Sequence, residues 1–314
     1  MTPAHTGHVH WGAEALWQQL EPLLPGLSVE VVARMGSTNT ELLDRVRRGH
    51  RRSDDRPAGP AEHHRHDDTL PCLLVAETQT AGRGRQGKAW VTPPGGALTF
   101  SLMLPYAPAD WSGLSLAVGL AVAEALDPAD ARPTVDGQAG APRIGLKWPN
   151  DVLLADAACV GRKLGGILIE TLPVGGERVA VIGIGLNLQP RPAPAADEPP
   201  LPWGHAHARE LIPELTAPQA LARVAPALVH TLLAFAREGF APLQARFAAR
   251  DLLAGLPVTT TLPDAPQGVA DGVDAQGTLW LRCTGPDGRT QRVPVNSGEV
   301  SVRRALPPAT AAPC

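Results

Sequence analysis

Of the 28 basic side chains in this chain only three are lysines, Lys88, Lys147 and Lys163, against 25 arginines. Each lies in a glycine-rich or polar segment: Gly82-Arg83-Gly84-Arg85-Gln86-Gly87-Lys88-Ala89-Trp90, Lys147-Trp148-Pro149-Asn150-Asp151, and Gly161-Arg162-Lys163-Leu164-Gly165-Gly166. An ammonium is a compact point charge that can sit close to a phosphate or carboxylate oxygen without the geometric demands of a planar guanidinium. Three such charges in three segments point to chemistry in which anions are gathered and neutralised. A general arginine bias that spared three positions is the plainer alternative.

Gly82 to Gly87 matches the dinucleotide-binding G-x-G-x-x-G pattern, which works only where the glycines open a helix whose N-terminus receives the pyrophosphate. Here Trp90, Thr92, Pro93, Pro94, Gly95 and Gly96 follow, so no helix is expected and that reading fails on context. A flexible loop fits better, its cations Arg83, Arg85 and Lys88 repelling one another until a phosphoanhydride neutralises them. A solvated arginine-rich turn stands beside it. Trp90 suits either a cover for an aromatic ring such as adenine or a core position.

In the second segment proline breaks a strand ladder and turns polar side chains outward together. Asp151 suits a Mg²⁺ ion or an arginine, and Asn150 a ribose or phosphate oxygen; an Asx-type turn is the structural alternative. In the third, Gly165 and Gly166 remove two side chains where a ligand or another backbone comes close to Lys163. Gly183, Gly185 and Asn187 repeat that logic, with packing as the competing reason. His63, His64 and His66 lie in a low-complexity stretch and read as uninformative. No Ser/His/Asp or Cys/His arrangement stands out, so any chemistry rests on positioning and electrostatics.

The elements that must position these residues are legible from periodicity. Ala13 to Leu20 reads as a helix and Ser28 to Met35 as a strand. Thr38 and Glu41 have capping-box spacing at the start of a helix that ends near Gly49. Arg51 to Asp68 carries too little apolar surface to fold and reads as a mobile insertion. Cys72 to Glu77 and Leu98 to Leu104 are strand-like, Leu114 to Leu126 is a buried Ala-rich helix, and Asp127 to Pro142 is a connector. Arg143 to Lys147, Asp151 to Leu154, Leu164 to Thr171 and Arg178 to Leu188 read as adjacent strands of one sheet. After the proline-rich stretch from Gln189, Pro218 to Arg237 and Ala241 to Ala249 read as helices. From Leu256 to Val302, short strands between turn signals predict a small β-barrel docked on the larger domain.

With 44% hydrophobic residues the chain can fill a core, and 33 prolines and 32 glycines imply long connectors. A net charge of -3 gives no footprint for general nucleic-acid binding. Cys72, Cys159, Cys283 and Cys314 lack metal-ligand spacing, and no targeting segment or membrane-length apolar run is evident, so a reduced cytoplasmic setting without membrane partners is expected.

In order, Ser37-Thr38-Asn39, Glu77 to Trp90, Lys147 to Asp151, Arg162 to Glu170, Gly183 to Asn187 and Gly298-Glu299-Val300-Ser301-Val302-Arg303 resemble bacterial biotin-protein ligase across roughly Val29 to Arg303. The resemblance implies an α/β (α+β) fold: a mixed sheet flanked by helices, as in the class II synthetase-like, biotin/lipoate ligase catalytic domain, over residues 28–254, and an SH3-like β-barrel over 255–304. Residues 1–27 form an N-terminal extension, 51–69 a flexible insertion, 189–204 a Pro-rich linker and 305–314 a tail. The implied substrates are biotin and Mg-ATP, which give biotinyl-5'-adenylate. The implied partner is a biotin carboxyl carrier protein of acetyl-CoA carboxylase or a related carboxylase. Assembly, monomer or homodimer, is left open.

Carried over residue by residue, Ser37, Thr38, Asn39 and Gln79 match groups that hold biotin, joined by Gly165 and Gly166, while Arg83, Gly84 and Arg85 match a loop closing over the intermediate. Lys163 matches the lysine between biotin's carboxylate and the α-phosphate, with Arg83 and Arg85 as catalytic companions. Trp90, Lys147, Asn150, Asp151, Asn187 and Arg303 are assigned to ATP, and Asp151 to Mg²⁺. Two departures from the family pattern are Gln86, where a further cation is common, and the 51–68 insertion. Only 36 residues precede Ser37 and they hold no basic recognition helix, so DNA-binding repression is not expected. A lipoate or octanoate ligase and a noncatalytic biotin-binding regulator are the rival readings.

Overall fold

The structure is a computed structural model that describes residues 9–54, 69–91, 93–132, 134–135, 138–156, 161–191, 204–263, 265–285, 288–296 and 302–304; for 50–54, 134–135, 138–139 and 303–304 it describes the backbone alone. Residues 55–68 of the expected insertion and 192–203 of the expected linker lie outside the described residues.

A seven-stranded mixed sheet forms the body. Its strands are β1 (Ser28–Val32), β2 (Cys72–Ala76), β3 (Ala97–Pro105), β6 (Ile144–Lys147), β7 (Asp151–Leu154), β8 (Arg162–Val174) and β9 (Glu177–Asn187), in the order β1-β2-β3-β9-β8-β7-β6. Strands β1 and β2 run parallel and every other neighbouring pair is antiparallel. The sequence expectation for these strands holds to within three residues at every end. In the connector between Asp127 and Pro142 the chain adds a short hairpin of β4 (Thr134–Val135) and β5 (Gln138–Ala139).

Each sheet face is covered according to side-chain alternation. One face carries Leu73, Val75, Leu98, Phe100, Leu102, Ile182, Ile184 and Leu186 into the main core, with helices α1 (Ala13–Leu20), α3 (Leu114–Leu126) and α4 (Ala217–Glu238). The other face presents Leu74, Met103, Val179 and Val181 to Leu42, Leu43 and Val46 of helix α2 (Thr38–Asp54). Burying each of those three α2 side chains contributes roughly 1.5–3 kcal/mol, enough to fix where the helix begins.

Two expectations about α2 are corrected. The residue before its first turn is Ser37, whose Oγ accepts from the Thr40 amide at 3.4 Å, so the cap falls one residue earlier than Thr38. Thr38 is thereby left to use its hydroxyl elsewhere. The helix also passes through Gly49 and continues to Asp54, into residues read as insertion. Tertiary packing along one face outweighs the cost of about 1 kcal/mol for a glycine inside a helix.

Beyond the short helix α5 (Gln244–Ala248), strands β10 (Pro257–Thr260), β11 (Gln267–Val273), β12 (Leu279–Thr284), β13 (Thr290–Val295) and β14 (Val302–Arg304) form a five-stranded antiparallel sheet in the order β13-β12-β11-β10-β14. It touches the body where the buried Trp148 indole N–H donates to the carbonyl of Gly277 at 3.1 Å.

Candidate active site

Beyond the N-terminus of α2 the sheet face loses its apolar cover and becomes small and polar, with Ser101 on β3, Gly183 and Gly185 on β9 and Gly166 on β8. A cavity of about 500 Å³ opens there, lined by residues from all the expected segments, a size that suits a small-molecule site.

Its floor is a chain of neutral polar groups. Thr38 and Ser101 hydroxyls lie 2.6 Å apart, and Ser101 Oγ donates to Asn39 Oδ1 at 2.6 Å. Ser101 has one proton to give, so Thr38 donates to Ser101, and Gln79 Oε1 accepts the Thr38 amide at 2.8 Å. Asn39 Nδ2 donates to Glu170 Oε2 at 3.0 Å and to the Leu168 carbonyl at 3.3 Å. Gly183 is required beneath Asn39: a Cβ there would lie 2.2 Å from Asn39 Oδ1. Hydrogen-bonded in this way, buried Thr38 and Asn39 hold fixed orientations.

The opposite end is charged. Asp151 Oδ1 accepts from Lys163 Nζ at 2.5 Å and Asp151 Oδ2 from Lys147 Nζ at 2.9 Å. Burial pushes the Asp151 carboxyl up, but the two ammoniums outweigh it and hold the pKa down to about 2. Arg85 Nη1 donates to Asn150 Oδ1 at 3.2 Å, and Asn150 Nδ2 to the Ile167 carbonyl at 2.9 Å, so the Lys147 to Asp151 turn is tied to β8. Burial lowers the Arg85 pKa, and Asp151 opposes that shift. Two lysines and an arginine around a single carboxylate leave this end positive.

Trp90 lies between the two ends. A Cβ on Gly185 would meet its ring at 2.5 Å, one on Gly166 at 3.5 Å, and Lys163 Nζ sits 5.8 Å from its centroid. The glycines of β8 and β9 thus receive side chains, Asn39 and Trp90, which in turn wall the cavity. Trp90 Nε1 is buried with no hydrogen-bond partner among the described residues. Asn187 Nδ2 donates to the carbonyls of Lys163 at 3.1 Å and Ala206 at 3.3 Å, fixing the backbone from which Lys163 projects.

The cavity brings together Ser37, Thr38, Asn39, Gln79, Arg83, Gly84, Arg85, Trp90, Lys147, Asn150, Asp151, Lys163, Gly166 and Asn187. Gly165 is not among its lining; it faces Leu186, whose Cδ2 would be 2.6 Å from an added Cβ. The cause is a bulge. Gly165 pairs with Val152 and Lys163 with Leu153, leaving Leu164 as an extra residue, so Lys163 shares a face with Gly166 rather than with Gly165. Arg303 lies on β14 with only its backbone described, and its neighbour Val302 lines the cavity. Sequence reasoning missed Arg191 and His205, which line the charged side and whose side chains meet at 3.1 Å.

The residues do not fit a Mg²⁺ ion held at Asp151. Such an ion takes one or two carboxylates together with substrate phosphates, whereas both Asp151 oxygens are engaged by ammoniums that would repel it. Among the described residues no three His, Cys, Asp or Glu side chains gather for a metal.

Residues 63–187 match the Biotin/lipoate A/B protein ligase family. The biotin–[acetyl-CoA-carboxylase] ligase of Mycobacterium tuberculosis is 33% identical over 297 residues, covering 92% of this chain and 91% of that protein. The chain belongs to this ligase family. The bifunctional ligase/repressor BirA of Escherichia coli is also 33% identical, over 292 residues, covering 92% of this chain and 78% of its own length. The biotin protein ligase of Aquifex aeolicus, solved with biotin and ATP, shares the fold at 23% identity and a TM-score of 0.62, covering 90% of this chain and all of that one. Of the two parts of the family's name, the Mycobacterium tuberculosis relative, which spans 92% of this chain, carries the biotin part.

Proposed function

We propose that this protein activates biotin with Mg-ATP to biotinyl-5'-adenylate and transfers the biotinyl group to a lysine of a biotin carboxyl carrier protein. What carries this reading is the polarity of the cleft, neutral hydrogen-bonding groups around Asn39 at one end and Lys163, Lys147 and Arg85 around Asp151 at the other. A ureido ring offers N–H and C=O groups that suit Ser37, Thr38, Asn39 and Gln79. A carboxylate and a triphosphate need the cationic end.

In the first step a biotin carboxylate oxygen attacks the α-phosphorus and pyrophosphate leaves. Two anions must approach, so catalysis depends on charges fixed beforehand and on in-line geometry. Lys163, oriented by Asp151 and by the Asn187 tie on its backbone, lies where carboxylate and α-phosphate meet, and Lys147 and Arg85 support the phosphates. Because Asp151 already orders the two ammoniums, little reorganisation remains at the moment of reaction. In the second step an uncharged lysine amine of the carrier attacks the acyl carbon, AMP leaves with the bonding electrons, and the nitrogen gives up one proton to solvent as the amide forms. Trp90 covers the adenine, and the resemblance gives Arg303 of the second domain a part in ATP use. Mg²⁺ arrives with the nucleotide.

We assign residues 28–254 to catalysis and 255–304 to an SH3-like domain, and place the reaction in the cytoplasm without a nucleic-acid partner. Incubating the protein with ATP, a carrier protein and either biotin or octanoate tests the substrate. An ATP-dependent biotin amide on one carrier lysine supports the reading; octanoylation in its place moves the protein to the lipoate branch.

A further inference from the structure

The Gly82 to Trp90 segment is held together by its own backbone. The Trp90 amide donates to the Gly82 carbonyl at 2.8 Å and the Gly84 amide to the Lys88 carbonyl at 2.7 Å. A Cβ at Gly82 would come within 2.4 Å of the Trp90 carbonyl oxygen. A segment closed on itself moves as a flap, and its position depends on what its side chains grip. Arg85 grips Asn150 on the inner side. Arg83 turns outward, its Nη2 donating to Glu170 Oε1 at 2.8 Å and its Nη1 to Thr40 Oγ1 at 3.2 Å.

Glu170 is unusual in serving both the flap and the floor. Its second oxygen accepts from Asn39, the same amide that Ser101 and Gly183 fix in place. One carboxylate therefore spans from a buried, immobile group to an exposed, movable one. A second cavity lies on the outer side of the flap, against Leu168 and Glu170, so the flap separates two spaces at this point.

We propose that Glu170 is a positioning residue that latches the flap to the floor through Arg83 and so retains the adenylate. The inference rests on the proposed ligase reaction. Arg83 is 43% and Glu170 24% exposed, and an ion pair so open to water shifts an equilibrium by no more than about fivefold. A latch of that strength slows escape and still opens on every turnover.

Glu170→Gln tests this selectively, since its amide oxygen can still accept from Asn39 while the charge facing Arg83 is lost. With the full-length protein, biotin and Mg-ATP, the readout is biotin on a folded bystander protein per pyrophosphate released. The expected ratio rises roughly three- to fivefold, by more than the KM for biotin moves, and flap amides 83–88 exchange hydrogen faster. Thr40→Val, which removes the second grip on Arg83, should shift both readouts in the same direction by less. If pyrophosphate release is intact but both variants leave the ratio and the exchange at wild-type values, the latch is wrong and the ligase reading stands. If the wild type releases no pyrophosphate with both substrates, the ligase reading itself fails.

Discussion

Asp151 holds the ammonium of Lys163 at 2.5 Å, and the partner that completes this arrangement is Lys147, four residues before Asp151 across the strand break. A carboxylate shared between two lysines orders both without cancelling their charge. In the proposed reaction the cation that meets the reacting anions is therefore in place before they arrive, and its removal should be felt in the rate.

Lys163→Ala should lower adenylate formation by about a hundred- to a thousandfold, the usual loss of about 3–4 kcal/mol for one well-placed charge contact. The fold should survive, because the Lys147–Asp151 pair remains. Asp151→Asn should be both slow and unstable, since it leaves two neighbouring ammoniums without their anion, one of them on the buried Lys147. Single-turnover adenylation and urea unfolding of the two variants separate these effects.

The Asp151 carboxyl also predicts a pH dependence of stability. Its pKa is about 2 in the folded protein, below the roughly 3.9 of an unfolded aspartate. Its contribution is therefore complete above about pH 4 and is lost as the pH falls through about 2. The stability gap between wild type and Asp151→Asn should narrow over that interval; a constant gap from pH 6 to pH 2 argues against the shared carboxylate.

Gly183 and Gly185, two residues apart on β9, should separate the two substrates. An alanine at 183 would meet Asn39 at 2.2 Å and one at 185 would meet Trp90 at 2.5 Å. Gly183→Ala should raise the KM for biotin by about tenfold, the cost of a hydrogen bond or two, and Gly185→Ala the KM for ATP by a similar factor. Steady-state kinetics that moved both constants equally in both variants would show that the two ends are not independent.

Arg83 and Arg85 should likewise part company. Arg83→Ala, on the outer side of the flap, should let adenylate escape and label bystander lysines. Arg85→Ala, facing Asn150 and Asp151, should chiefly slow adenylation. A trapping assay beside a pyrophosphate assay tests both, and an exchange of the two phenotypes would reverse the assignment.

Much of this was readable in advance because it is local. Strands β6 to β9 announce themselves as β-branched and apolar runs, and the lysines mark the charged segments. Whatever depends on pairing partners was not readable. Lys163 and Gly165 alternate correctly for one face on paper, and only the bulge at Leu164 puts Gly166 there instead. Glu170 meets Asn39 and Arg83 from 131 and 87 residues away, a distance across which no sequence period reports. Thr38 has the spacing of a cap, yet Ser37 takes that place and the Thr38 hydroxyl bonds Ser101, a contact no local spacing announces.

The most direct test of the central claim is pyrophosphate release by the purified protein given biotin, ATP, both or neither. Release only when both are present, slowed about a hundred- to a thousandfold in Lys163→Ala, is the predicted result. Release from ATP alone, or none with both substrates, contradicts it.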